Sequence, residues 1–307
     1  MTPVAQSLVL EFILASLSYS NLDSIVPFIP ILYGPTAVGK TSASLEWAHR
    51  LDAQIISADS MQVYQGMDIG TAKLPEKERQ GIPHHLIDIK SPDEIWNTHL
   101  FLQNVNSLLS DSSKRYLIVG GTGLYIQSLL YGYGVPETPA SPSIRANLKK
   151  RSQEEGLSAL YQELLTVDPL SAEHIHPHNA PRIFRALEVF EQTGLPFSSI
   201  QKKRNTMDPR FQLIILTQDR QKLYHQIEQR VDKMIQQGLV DEVKTLLDRG
   251  YSPLLPSLQA LGYKEIIAHL QRKISLEEAV RQIKLGTRHF AKRQLTWARH
   301  WEKNRVH

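Results

Sequence analysis

The segment Gly34-Pro35-Thr36-Ala37-Val38-Gly39-Lys40-Thr41 has the spacing G-x-x-x-x-G-K-[ST], that of a phosphate-binding loop. Its glycines let backbone N–H groups converge on phosphate oxygens, and a helix that follows would aim the positive end of its dipole at them. Lys40 adds a point charge, and the Thr41 hydroxyl can ligate Mg²⁺. A nucleoside triphosphate is the default occupant of such a loop. A triphosphatase, however, also needs an acid at the end of another strand to hold Mg²⁺ and position water. The best strand for this, "YLIVGGTGLY", runs into Gly120-Gly121-Thr122, and no carboxylate follows it until Glu137. The acid that is present is Asp59, at the end of "QIISADS" (54–60). In parallel α/β sheets, ligands sit outside the carboxyl ends of the strands. Asp59 is therefore expected in one crevice with the loop, as a general base. A lone Asp at a strand end is also a common turn former.

Such residues need a sheet behind them. "FIPILYG" reads as a strand before the loop, and "KTSASLEWAHRL" as a helix with Leu45, Ala48 and Leu51 on one face. Residues 54–60, "HHLIDI" (84–89) and "RYLIVGG" (115–121) read as further strands, with helices near 98–110 and 122–131. Alternating strand and helix implies a mostly parallel sheet flanked by helices. "YGYGVPETPASPS" (131–143) reads as a linker. Beyond it, 144–205 shows no strand-like run; Pro181 suits a first helical turn, and "TGLP" (193–196) a glycine stop followed by proline. "FQLIILT" (211–217) is a returning strand, and helical patterns fill 220–249 and 276–301. The expected fold is α/β of the P-loop type. Its core spans 30–140 and 206–307, with an all-helical domain inserted at 141–205 and an N-terminal extension at 1–29.

The 307 residues carry a net charge of +4, which hints at a polyanionic partner. From Arg281 onward, eight basic residues face a single acid, Glu302. This pattern suits either a solvated helix face or a nucleic-acid footprint. Cysteine is absent, which excludes disulfides, thiolate catalysis and Cys-type zinc sites and fits a reducing compartment. Residues 1–29 are apolar but include Glu11 and lack Lys and Arg. They match neither a secretory signal nor a membrane span, so no membrane association is expected. Two readings of the segment stay open: a disordered or loosely docked extension, or a start placed upstream of the true one.

Seven blocks in order, "GPTAVGKT", "ISADSMQVYQGMDIGTAK", "PHHLIDIKSP", "VGGTGLY", "RIFRALEVFEQTG", "LQALGYKE" and "TRHFAKRQLTWARHW", closely resemble the bacterial tRNA dimethylallyltransferase (isopentenyltransferase) family. The resemblance runs from about Ile31 to Trp301. It implies transfer of a dimethylallyl group from dimethylallyl diphosphate to N6 of adenosine 37 in tRNA, beside the anticodon, with Mg²⁺ and release of diphosphate. It also implies a cytoplasmic enzyme, expected to be a monomer. Asp59 would take the amino proton. The loop 34–41 would hold the diphosphate as it leaves, with Thr36 near the bridging oxygen and Thr41 on the metal. Arg220 matches an arginine on the diphosphate side.

Further matches imply contacts with tRNA. They are the turn Asp59-Ser60-Met61-Gln62, Thr122, Arg145, the helix start Pro181-Arg182-Ile183-Phe184-Arg185, and the loop Gln259-Ala260-Leu261-Gly262-Tyr263-Lys264. Each arginine has a plainer reading as a surface ion pair. The chain departs from the family where a second diphosphate arginine usually stands: it has Gln226, and Arg230 could stand in. The histidines of "HIHPH" (174–178) suit a turn better than a metal site, and His84-His85 suits packing. Trp297 and Trp301, at i,i+4, suit core anchors. The rival functions are a small-molecule P-loop kinase, a non-catalytic RNA-binding protein and an adenine-nucleotide prenyltransferase. A kinase would need ATP and no helical insertion with paired arginines.

Overall fold

The computed structural model of the chain describes residues 28–132, 141–200, 204 and 206–303. Residues 1–27 of the expected extension and most of the expected linker lie outside the described residues. The chain forms two compact units: one from the residues up to Ile126 together with Pro209 onward, the other from Gln127–Asp208.

In the first unit, five strands among the described residues form one parallel sheet: β1 (Ile29–Tyr33), β2 (Ala53–Ala58), β3 (His84–His85), β4 (Arg115–Gly120) and β5 (Phe211–Ile215). The order across the sheet is β3-β2-β4-β1-β5. β1 and β4 are central and covered on both faces, so they read as continuous apolar runs rather than alternating ones. Helices α1 (Lys40–Leu51) and α2 (Thr98–Leu109) follow in the connections, and α3 (Gly123–Tyr131) begins in this unit and ends in the second. α1 packs Trp47 and Leu51 onto Leu32, Leu117 and Ile214. From β1 the chain crosses to β2 on one side, and from β4 it returns to β5 on the other. The crevice between β1 and β4 is thus the switch point where parallel sheets hold ligands.

The strand expected at 84–89 is shorter than its apolar pattern suggests. Only His84 and His85 pair with β2, at Ile55 and Ile56. Leu86 and Asp88 take left-handed backbone conformations (φ 62° and 58°), which end the strand. The Asp88 carboxylate binds the Lys73 ammonium at 2.5 Å, and the same ammonium holds Asp68 at 2.5 Å and the Tyr64 carbonyl at 2.8 Å. The turn is set by this buried lysine.

Among the described residues, four helices that follow the helical unit's α4–α8 in the chain complete the first unit: α9 (Arg220–Gln236), α10 (Leu239–Asp248), α11 (Tyr263–Leu270) and α12 (Leu276–Lys303). The helical pattern over 220–249 breaks at Gly238, whose φ of 97° suits glycine. Val231, Leu239, Val243, Leu246, Ile266 and Ile283 build a second core with Val63 and Met67. Near the end of α12, Trp301 is fully buried and meets the Tyr33 ring edge-on, with centroids 4.7 Å apart.

The second unit holds α4 (Pro142–Glu154), α5 (Leu157–Val167), α6 (Pro169–His174), α7 (Ala180–Thr193) and α8 (Phe197–Ile200). Leu148, Leu160, Leu164, Ile183 and Leu187 form its core. Ser141, Asp168 and Asn179 each cap a helix with the side chain. Gly194, at φ 69°, ends α7 where the sequence pattern places its stop. The unit's two ends meet: the N–H groups of Arg204 and Asp208 donate to the carbonyls of Tyr131 and Leu130, each at 2.7 Å.

Candidate active site

A cleft of about 880 Å³ opens in the first unit at the carboxyl ends of the strands. The loop between β1 and α1 supplies Thr36, Ala37, Gly39, Lys40 and Thr41 to it, the turn after β2 supplies Asp59–Gln62, and the turn after β4 supplies Gly121 and Thr122. The segment Gln259–Lys264 and the inner faces of α9 and α12 close it. A smaller hollow of about 420 Å³ lies at the amino ends of β2 and β4, lined by His49, Gln54, Lys114 and Arg115 among others. It contains none of the phosphate-loop or Asp59-turn residues, so the chemistry belongs to the larger cleft.

Ala37 and Gly39 both adopt positive φ (66° and 94°), which folds the loop into a concave turn of N–H groups leading into α1. Gly34 is packed so closely that a Cβ there would lie 2.7 Å from the Leu216 carbonyl. Lys40 turns back over the loop, donating to the Gly34 and Pro35 carbonyls at 2.8 Å each. Burial and the Arg230 guanidinium push the Lys40 ammonium down to about 7, while Asp59 pulls the other way. A phosphate would reverse the balance, because an anion favours the charged amine.

Asp59 is fixed by its own turn. Its Oδ1 accepts the N–H groups of Met61 at 2.8 Å and Gln62 at 3.3 Å. The Ser60 N–H donates to the Thr122 hydroxyl at 3.1 Å, and the Thr122 N–H donates to Ala58 at 3.2 Å. The turn uses Oδ1 alone, so the turn-forming role leaves Oδ2 outside these bonds. Gln62 is held by Ser57 and the Thr71 carbonyl.

Of the other residues with a sequence-based role, Gly34, Pro35 and Val38 shape the loop from behind, with Val38 packed into the core. Tyr263 is fully buried: it fills the space beside Gly70 and donates its phenol proton to Glu242 at 2.6 Å, so its side chain is structural. Gln259 and Lys264 are exposed, and Ala260, Leu261 and Gly262 form the wall between them. Arg220 does not line the cleft. It sits at the first turn of α9 over the Tyr224 ring, its Nε donating to the phenol at 3.1 Å. The arginine that does face the cleft from α9 is Arg230, one turn beyond Gln226, and burial lowers its pKa. Gln226 also lines the cleft and is bonded to Gln218. Arg293, one of the eight basic residues of the C-terminal run, lines it from α12, as does Gln294, which no sequence motif marks.

In the helical unit, Arg145 grips Glu188 bidentately at 2.9 and 3.1 Å, and Arg185 reaches the same carboxylate at 2.8 Å. Glu188 is fully buried. Of the helix start 181–185, Pro181 and Arg182 are exposed, Phe184 is half-buried, and Ile183 is a core residue with no surface to offer RNA. His176 and His178 stand with ring centroids 5.3 Å apart. Among the described residues, no group of three or more His, Cys, Asp or Glu could hold a metal.

The profile described as "IPP transferase" matches residues 62–301. The chain belongs to the IPP transferase family. A second profile, "Isopentenyl transferase", matches residues 28–95. The tRNA dimethylallyltransferase of Anoxybacillus flavithermus is 46% identical over 88% of this chain and 87% of its own. That of Heliobacterium modesticaldum is 47% identical over 88% and 86%. Among solved structures, the tRNA isopentenylpyrophosphate transferase of Bacillus halodurans superposes with a TM-score of 0.63 at 41% identity, over 89% of this chain and 86% of that one. A eukaryotic dimethylallyltransferase acting on tRNA gives 0.74 at 28% identity, over 88% and 69%. Like these IPP transferases, the chain is a transferase of prenyl groups.

Proposed function

We propose that the chain transfers a dimethylallyl group from dimethylallyl diphosphate to N6 of adenosine 37 in tRNA, forming N6-dimethylallyladenosine and diphosphate. The observation that carries this reading is that Lys40 and Asp59 share one cleft with Thr122 and Arg230. The adenine amino group is a weak nucleophile because its lone pair is delocalised into the ring. As N6 bonds to the allylic carbon, the carbon–oxygen bond to diphosphate breaks, and Asp59 takes the surplus N6 proton. The loop amides, Lys40 and Arg230 meet the negative charge that grows on the departing diphosphate. Thr36 lines the same cleft, where its hydroxyl would serve the bridging oxygen. No water has to be activated, which accounts for the glycines and threonine where a triphosphatase carries an acid.

Mg²⁺ fits this site. Thr41 is exposed and lines the cleft at the first turn of α1, and a hydroxyl, a hard oxygen donor, beside phosphate oxygens is the usual setting for the ion. When bound, it would neutralise part of the diphosphate charge.

The tRNA would be met by the turn 59–62, Thr122 and the loop 259–264 in the first unit, and by Arg145, Arg182 and Arg185 in the helical unit. Among the described residues, no helix is long and apolar enough to cross a membrane. We place the enzyme in the cytoplasm, acting as a monomer.

The test is incubation with unmodified tRNA and labelled dimethylallyl diphosphate. Label should enter tRNA, and Asp59→Asn should reduce transfer by about 10²–10⁴-fold while tRNA still binds. ATP hydrolysis without transfer would instead favour the kinase reading.

A further inference from the structure

Gln294 stands in the buried stripe of α12 defined by Ala291, Ala298 and Trp301, and is only 3% exposed. A polar side chain in such a place must find partners. Its Oε1 accepts the Thr36 N–H at 2.8 Å, and its Nε2 donates to the Gly121 carbonyl at 2.9 Å. A flipped amide would set donor against donor and acceptor against acceptor, so the two partners fix its orientation. The contact is tight: a Cβ on Gly121 would lie 2.2 Å from Nε2. The Gln294 carbonyl also accepts the buried Tyr33 phenol at 3.0 Å, anchoring this turn of α12 to β1.

We infer that Gln294 is a positioning residue that sets the leaving-group loop against the base. One end of its carboxamide holds Thr36, on the diphosphate side. The other holds Gly121, whose neighbour Thr122 accepts the Ser60 N–H and so steadies the Asp59 turn. The amide thus bridges the two ends of the displacement, across the β1–β4 crevice. It also consumes the Thr36 N–H, which leaves the hydroxyl as Thr36's contribution to diphosphate. The inference rests on the transferase reading above.

Three side chains separate this role from packing. Methionine has the shape but neither hydrogen bond. Ionised glutamate can accept from Thr36 but repels the Gly121 carbonyl. Protonated glutamate can do both, and burial raises the pKa of such a carboxyl. With wild-type transfer established, Gln294→Met should lower kcat about 100-fold with tRNA affinity within about twofold of wild type. Gln294→Glu should be impaired at pH 8 and should recover relative to wild type as the pH falls. Comparison at each pH cancels the titration of Asp59. A kcat for folded Gln294→Met within about threefold of wild type overturns the inference. If that variant does not fold, a flat Glu-to-wild-type ratio across pH overturns it equally. Absence of transfer by the wild type itself would instead overturn the transferase reading.

Discussion

Glu242 accepts the Tyr263 phenol at 2.6 Å, and this contact binds two walls of the cleft into one piece. The same carboxylate gathers the N–H groups of Asp68, Ile69 and Gly70 at 3.0, 2.7 and 3.1 Å. One side chain of α10 thereby holds both the segment running into Thr71 and Ala72 and the buried ring at the start of α11. Glu242→Ala would leave three backbone donors and a buried hydroxyl without their acceptor. The expected loss is about 2–4 kcal/mol, read as a lower denaturation midpoint. Glu242→Gln, which keeps an acceptor, should lose less.

Lys40 sets a pH limit on the donor side. With its pKa near 7 in the free enzyme, the amine is charged below that value and increasingly neutral above it. Diphosphate binds the charged form, so binding above pH 7 takes up a proton. The KM for dimethylallyl diphosphate should therefore rise with pH from about 7, by at most about tenfold per pH unit. In Lys40→Arg, which stays charged, this slope should flatten whatever the absolute KM.

Arg230 rather than Arg220 should be the arginine that matters to the leaving group. Arg230→Gln is expected to lower kcat/KM about 100-fold. Arg220→Gln, removed from the cleft wall, should stay within about threefold. Gln226→Arg places a second guanidinium one turn before Arg230 and should lower the KM for the diphosphate.

The two arginines bonded to Glu188 and the exposed Arg182 should separate in a salt titration. Arg182→Ala should flatten the salt dependence of tRNA binding by about one unit of slope without touching stability. Glu188→Ala removes the acceptor of both Arg145 and Arg185 from a buried site, and should cost about 3–5 kcal/mol of stability.

The phosphate loop, Asp59 and the strand–helix alternation are legible in the sequence because each depends on residues close together in the chain. Asp88 is not, because its left-handed turn is fixed by Lys73, fifteen residues away. The family resemblance puts Ile183 and Tyr263 in tRNA-contacting segments, and the side chains of both are buried; a family motif records that a residue is needed, not whether it touches the substrate or holds the backbone that does. Gln294 left one faint signal, a polar residue at the spacing of Ala291, Ala298 and Trp301. Its partner Thr36 lies 258 positions away, so nothing local could name it.

β1 pairs on one side with β4 and on the other with β5, Ile29 lying opposite Phe211. During synthesis the second partner arrives only after the whole helical unit has been made, 182 residues after Ile29 (211 − 29). At ribosomal rates of about 5–20 residues per second, that leaves roughly 10–40 seconds in which a central, apolar strand is an open edge. The helical unit, closed on itself through Tyr131 and Arg204, can collapse within that interval. The nascent chain is therefore most exposed to misassociation before Phe211 emerges, and the phosphate loop acquires its final frame only late in translation.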